Sequence, residues 1–224
     1  MLIDRILNKV FYKFNNLRIF EKYIYRQDIL KNCPKNFKKK VFFRIYICRK
    51  NKILISLIPK NANTSIRNFF NNQLNKKSTD NYFYTKLLSN NFKGYTKVIF
   101  FREPTSRYLS YYSNKIFHNE DDFKISNLID NEEYLNRIHL APQKFFILND
   151  LTDYDIVGNI ENLEPYISKL LKIKNIKKKY SLLHLNSSAK NQQKFDTERF
   201  LKFNIEYIKK IYKFDYELWR NIKK

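Results

Sequence analysis

The chain has 224 residues, enough for one domain with a sizeable core, and an apolar fraction of 43% with 17 Tyr and 20 Phe excludes a disordered polymer. Its formal net charge of +23 suits an anionic nucleotide, a nucleic acid or a membrane surface equally well. Part of that charge is compositional, because Lys, Asn, Ile, Tyr and Phe abound while Gly numbers 2, as an AT-rich coding sequence produces, so charge alone selects no partner.

Residues 1–30 place Ile3, Ile6, Leu7, Val10, Phe11 and Phe14 on one helical face and Arg5, Lys9 and Lys13 off it. This basic amphipathic helix offers a face for peripheral contact with an anionic membrane, although docking on the protein's own core is the expected role. With the basic loop Asn32 to Lys40 it forms an N-terminal extension, 1–40, of a single domain spanning 1–224. Val41 to Cys48 (VFFRIYIC) is strand-like, and Arg49-Lys50-Asn51 turns it as a hairpin into the apolar run Ile53 to Ile58. Such a run suits a strand covered on both faces. Pro59 ends the ladder. The polar loop Lys60-Asn61-Ala62-Asn63 follows, Thr64 and Ser65 stand where a helix is capped, and Ile66, Phe69, Phe70 and Leu74 share one helical face. Strand, tight loop and helix start together form an anion site: backbone N–H groups and the positive helix end point at it, and hydroxyls and a lysine close it.

Asn75 to Lys97 has room for a helical crossover, which makes 53–58 and 98–101 parallel neighbours. Val98 to Phe101 is a second buried-type strand, Arg102 stands at its end and Pro104 begins a helix. Tyr108, Leu109, Tyr112 and Ile116 repeat at helical spacing and leave Ser110 elsewhere on the helix surface. Glu120, Asp121 and Asp122 lack calcium-loop spacing, and Cys33, Cys48, His118, His139 and His184 lack zinc spacing, so no metal is expected. The segment IHLAPQKFFI (138–147) precedes YDIVGNIENL (154–163), in which Asp155 to Ile160 reads as a third strand and Glu161 begins a helix carrying Leu163, Ile167, Leu170 and Leu171. The basic run Lys172 to Lys179 reads as a solvated face. LHLNSSAK (183–190) is polar, and from Thr197 the chain is helical through IYKFDYELW.

PKxxxTS directly after an apolar strand, at Pro59 to Ser65, resembles the 5′-phosphosulfate loop of sulfotransferases that use 3′-phosphoadenylyl sulfate (PAPS). RxPxxRxxSxY, from Arg102 to Tyr112, resembles the same family's 3′-phosphate site, and HxxPQ, YDxVGxxENL, the hxNxS segment and the YxxDxxLW ending resemble the carbohydrate-type family 2. The resemblance covers residues 41 to 220. It implies an α/β, P-loop-like three-layer fold with a small, mainly parallel sheet flanked by helices. It implies sulfuryl transfer from PAPS, without metal, to a hydroxyl of a carbohydrate acceptor. Lys60, Asn61, Ala62, Asn63, Thr64 and Ser65 would hold the 5′-phosphate, with Lys60 neutralising the leaving oxygen. Arg102 and Ser110 would hold the 3′-phosphate, so loss of Arg102 should spare a nucleotide lacking that group; Arg107 fits packing better. Ser187, Ser188 and Lys190 would cover the nucleotide. His139 is the expected acceptor base, with Glu161 in reserve though better suited to capping a helix.

Two positions depart from the family pattern. Asn61-Ala62-Asn63 stands where a small residue or glycine is common, which the tolerance of Asn for a left-handed backbone accommodates. Leu140 replaces the frequent tryptophan of HWxPQ. No apolar run approaches the roughly 20 residues of a membrane span. Golgi sulfotransferases carry an N-terminal anchor, so a cytoplasmic enzyme of bacterial or viral type is expected. Two alternatives are a P-loop-like nucleotide kinase, which lacks its GK[ST] motif here, and a non-catalytic basic nucleotide- or nucleic-acid-binding protein. No named nucleic-acid motif is present, so nucleic acid is not the expected partner.

Overall fold

The computed structural model describes residues 44–74, 81–82, 92–117, 139–147, 150–182 and 197–223. The expected helix of 1–30, the acidic stretch beyond Phe117, and the LHLNSSAK segment with Ser187, Ser188 and Lys190 lie outside these residues, as do His118 and His184.

Among the described residues five strands form one sheet in the order β3-β1-β2-β4-β5. The strands are β1 (Arg44–Cys48), β2 (Ile53–Leu57), β3 (Asn81–Tyr82), β4 (Thr96–Phe101) and β5 (Ile156–Asn159). β1 and β2 make the expected hairpin, pairing Arg44 with Leu57 and Cys48 with Ile53. Its turn closes through Lys52 N–H to the Arg49 carbonyl at 3.3 Å, with Lys52 in the left-handed region at φ 50°. β3 adds an antiparallel edge to β1. It lies inside the stretch expected to hold a crossover helix. β2, β4 and β5 are parallel, with Ile55 opposite Val98 and Phe100 opposite Gly158. The sheet is thus parallel across β2, β4 and β5, with the antiparallel strands closing one edge.

The apolar runs of β2 and β4 are continuous because both faces are covered. Ile53, Ile55, Leu57, Val98 and Phe100 face one cluster, which takes in Ile66, Phe69 and Phe70 of helix α1 (Asn63–Gln73). Ile167, Leu170 and Leu171 of α3 (Leu163–Ile173) complete that cluster. The alternate residues Leu54, Ile58, Ile99 and Phe101 face a second cluster with Phe145, Phe146 and Leu218. Two of these come from a single 3-10 turn, Gln143–Phe146, and Leu218 from α5 (Lys213–Lys223). Tyr108, Tyr111 and Tyr112 of α2 (Pro104–Phe117) pack on Leu140 and on Ile208 of α4 (Thr197–Ile211) in a third cluster. The result is an α/β arrangement with helices on both faces of a small sheet. The carboxyl ends of β2, β4 and β5 share one edge, where ligands of open parallel sheets bind.

Candidate active site at the carboxyl edge of the sheet

The chain leaves β2 through Ile58 and Pro59 and turns sharply, with Asn61 N–H donating to the Ile58 carbonyl at 3.1 Å. The turn is made by left-handed residues at Lys60 (φ 68°) and Ala62 (φ 54°). This corrects the expectation that an asparagine would take that conformation. Asn61 is instead 1% exposed, and its side chain is committed elsewhere. Ala62 is the N-cap of α1 and brings no side-chain cap, while its carbonyl accepts Ile66 N–H at 3.0 Å. Thr64 and Ser65 therefore sit inside the first helical turn and do not cap it, a second correction. The reason is local: the left-handed turn at Ala62 starts the helix one residue before Thr64. The amides of Asn63 and Thr64 precede the first helical hydrogen bond, and the first turn holds no acidic side chain.

Three successive loop residues are tied to the neighbouring segment. Arg107 Nε donates to the Pro59 carbonyl at 3.0 Å, and Arg102 Nη1 to the Lys60 carbonyl at 3.0 Å. Asn61 Nδ2 donates to the Phe100 carbonyl at 2.9 Å and to Gln143 Oε1 at 2.7 Å. The same Gln143 oxygen accepts Arg102 N–H at 3.0 Å, and Gln143 Nε2 donates to the Arg102 carbonyl at 2.8 Å. Asp215 of α5 in turn accepts the backbone N–H groups of Gln143 (2.7 Å) and Lys144 (3.2 Å). Such ties are needed, since each left-handed non-glycine residue costs on the order of 1–3 kcal/mol and persists only where its surroundings over-determine it.

Burial shifts three members of this network. It lowers the pKa of Arg102, against which the carboxylates of Glu161 and Glu103 act. It lowers that of Arg107, against which Tyr212 and Asp215 act. It raises that of Asp215, although the Gln143 amide, the Arg107 charge and the Lys144 amide pull the other way. Arg107 thus fills a structural position under the loop.

The start of α2 is different from that of α1. Glu103 accepts the N–H groups of Thr105 (3.0 Å) and Ser106 (2.6 Å), and Glu161 accepts that of Glu103 at 2.9 Å. Glu161 caps the entry to α2, not its own helix, which begins after Asn162. A helix start already holding two carboxylates repels a further anion; the bare start of α1 attracts one. Ser110 lies two turns into α2 and is half-buried.

His139 is exposed, and its ring stacks on Tyr111 at 6.0 Å between centroids and 24° between planes. Lys60 Nζ lies 5.9 Å from the centre of the same ring. Tyr111, itself 3% exposed, thus gathers the two residues expected to act on the leaving oxygen and the acceptor proton. Leu140, in the place of the family tryptophan, is buried, and its carbonyl accepts Tyr212 Oη–H at 2.6 Å. Among the described residues no group of three or more His, Cys, Asp or Glu could hold a metal ion.

Sequence assigns no role to Tyr111, and Gln143 and Asp215 stand in it only as members of the HxxPQ and YxxDxxLW patterns. A further signal was the apolar setting of Gln143, between Ala141-Pro142 and Phe145-Phe146, since a buried polar group needs partners. The model of the sulfotransferase family matches residues 43–220. No curated protein and no solved structure matches the chain.

Proposed function

Because the chain belongs to the sulfotransferase family, we propose that it moves a sulfuryl group from PAPS to a hydroxyl of a carbohydrate acceptor. The observation that carries the donor assignment is the bare start of α1. Its amides lie beside a lysine-bearing loop whose carbonyl at Lys60 is tied to Arg102. In this reading the amides of Asn63 and Thr64, with the side chains of Thr64 and Ser65, hold the 5′-phosphate, and Asn61 and Ala62 shape the turn. Arg102 and Ser110 hold the 3′-phosphate, and Ser187, Ser188 and Lys190 cover the nucleotide.

The acceptor oxygen attacks sulfur while the bond from sulfur to the bridging oxygen breaks, and the electron pair stays with the 5′-phosphate. Lys60 neutralises that growing charge. His139 takes the acceptor's proton, and positioning and charge stabilisation supply most of the rate, as in phosphoryl transfer. No step calls for a metal. The carbohydrate class rests on the HLAPQ and YDIVGNIENL segments. The enzyme is read as one domain, 1–224, acting in the cytoplasm; among the described residues no helix is long and apolar enough to cross a membrane.

Calorimetric titration at raised salt with 3′-phosphoadenosine 5′-phosphate, ATP and single-stranded DNA tests the donor assignment. The first should keep its affinity while the other two lose theirs, because binding by charge alone falls with salt. Equal affinity for ATP would favour a kinase-like reading and overturn this one. Transfer of labelled sulfate to a panel of polysaccharides then tests the acceptor class.

A further inference from the structure

We propose that Gln143 is a positioning residue for the donor loop, acting through Asn61; the inference rests on loop 58–62 and the start of α1 taking the donor's 5′-phosphate. Gln143 is 0% exposed and uses both ends of its amide at this edge of the sheet. Its oxygen accepts from Asn61 Nδ2 and Arg102 N–H, and its nitrogen donates to the Arg102 carbonyl. These partners are not core packing: one is the centre of the loop and the other the strand end that carries Arg102.

Asn61 stands between the two left-handed residues, Lys60 and Ala62. A left-handed alanine relaxes readily unless something fixes the chain beside it. Gln143 does that from one side and the Phe100 carbonyl from the other. Asp215 fixes Gln143 in its turn by accepting the main-chain N–H groups of residues 143 and 144. The helix start beyond Ala62 therefore inherits its direction from a residue 82 positions away in sequence.

The test titrates the full chain and its variants with 3′-phosphoadenosine 5′-phosphate and follows thermal unfolding in parallel. Gln143→Ala and Asn61→Ala should each raise Kd about tenfold or more, and the double variant should be no weaker than the weaker single, since both cut one path. Gln143→Glu separates positioning from folding. A buried carboxyl held neutral keeps an acceptor for Asn61 and a donor for the Arg102 carbonyl, so affinity should recover even where the unfolding midpoint falls. If Gln143→Ala does not fold, Gln143→Glu and Asn61→Ala still carry the comparison. Wild-type affinity in Gln143→Ala, multiplied effects in the double variant, or an affinity that merely tracks the midpoint in Gln143→Glu would each overturn the proposal. A wild-type chain that prefers ATP would instead overturn the donor reading, which separates the two failures.

Discussion

Arg102 spends one side chain on two tasks. Its guanidinium is tied to the Lys60 carbonyl, so removing it disturbs the loop as well as any contact with a 3′-phosphate. Arg102→Ala should weaken 3′-phosphoadenosine 5′-phosphate by about 1.5–3 kcal/mol, the range for a charged hydrogen bond. Adenosine 5′-phosphosulfate lacks the 3′-phosphate, yet it too should lose about 0.5–1.5 kcal/mol through the freed loop. The sequence alone argues for no loss there. Titration of both nucleotides decides, and equal losses would confine Arg102 to a loop role. His139→Ala should lower kcat by about 10²–10⁴ and leave nucleotide affinity unchanged, as removal of a general base does; full turnover would move the base elsewhere. Lys60, Arg102 and His139 stand out in sequence because each lies at a strand end or in a short motif. Gln143 and Asp215 were legible only as members of HxxPQ and YxxDxxLW, not in what they hold, since the partners that define them are 41 and 72 residues away. One sequence does not say which polar side chain turns inward.

At the scale of elements, apolar runs located the strands well. β2 ends one residue before the expected Ile58, β4 begins at Thr96 before the expected Val98, and β5 is the expected strand trimmed at both ends. The parallel pairing of β2 with β4 was legible from the length between them. β3 was not, because two residues carry no period. α3 starts at Leu163 and not at Glu161, because Asn159 Oδ1 first takes the N–H of Asn162 at 2.9 Å. Gly158 shows how tightly α3 lies on β5: a Cβ there would meet the Tyr166 ring at 2.7–2.9 Å. Gly158→Ala should therefore destabilise the fold by about 1–3 kcal/mol through overpacking. Chemical denaturation should show that cost shrinking in a Tyr166→Ala background. An equal cost in both backgrounds would mean that something other than the ring sets it.

Across the whole molecule, α5 reaches the loop 58–62 through one buried carboxyl, by way of Gln143. Burial holds Asp215 above its ordinary 3.8, so the folded state keeps a proton that the unfolded chain has already released. Its contribution is fully present below that value and is lost as pH rises through the folded value. Wild type should therefore lose stability relative to Asp215→Asn, which does not titrate, as pH rises above the ordinary carboxylate value of about 4, as denaturation midpoints followed upward from there would record. A difference constant with pH would mean that Arg107 and the two amides cancel the cost of burial. The same brace also sets a timetable for synthesis. The loop emerges from the ribosome first, then Arg102 and Arg107, then Gln143, and Asp215 last. At 5–20 residues per second the turn around Asn61 waits roughly 8–30 s for its final support. On the proposed reading an unfinished chain binds the nucleotide poorly: stalled chains exposing residues only to about 200 should fail to retain 3′-phosphoadenosine 5′-phosphate. Chains tethered beyond residue 224 should hold it.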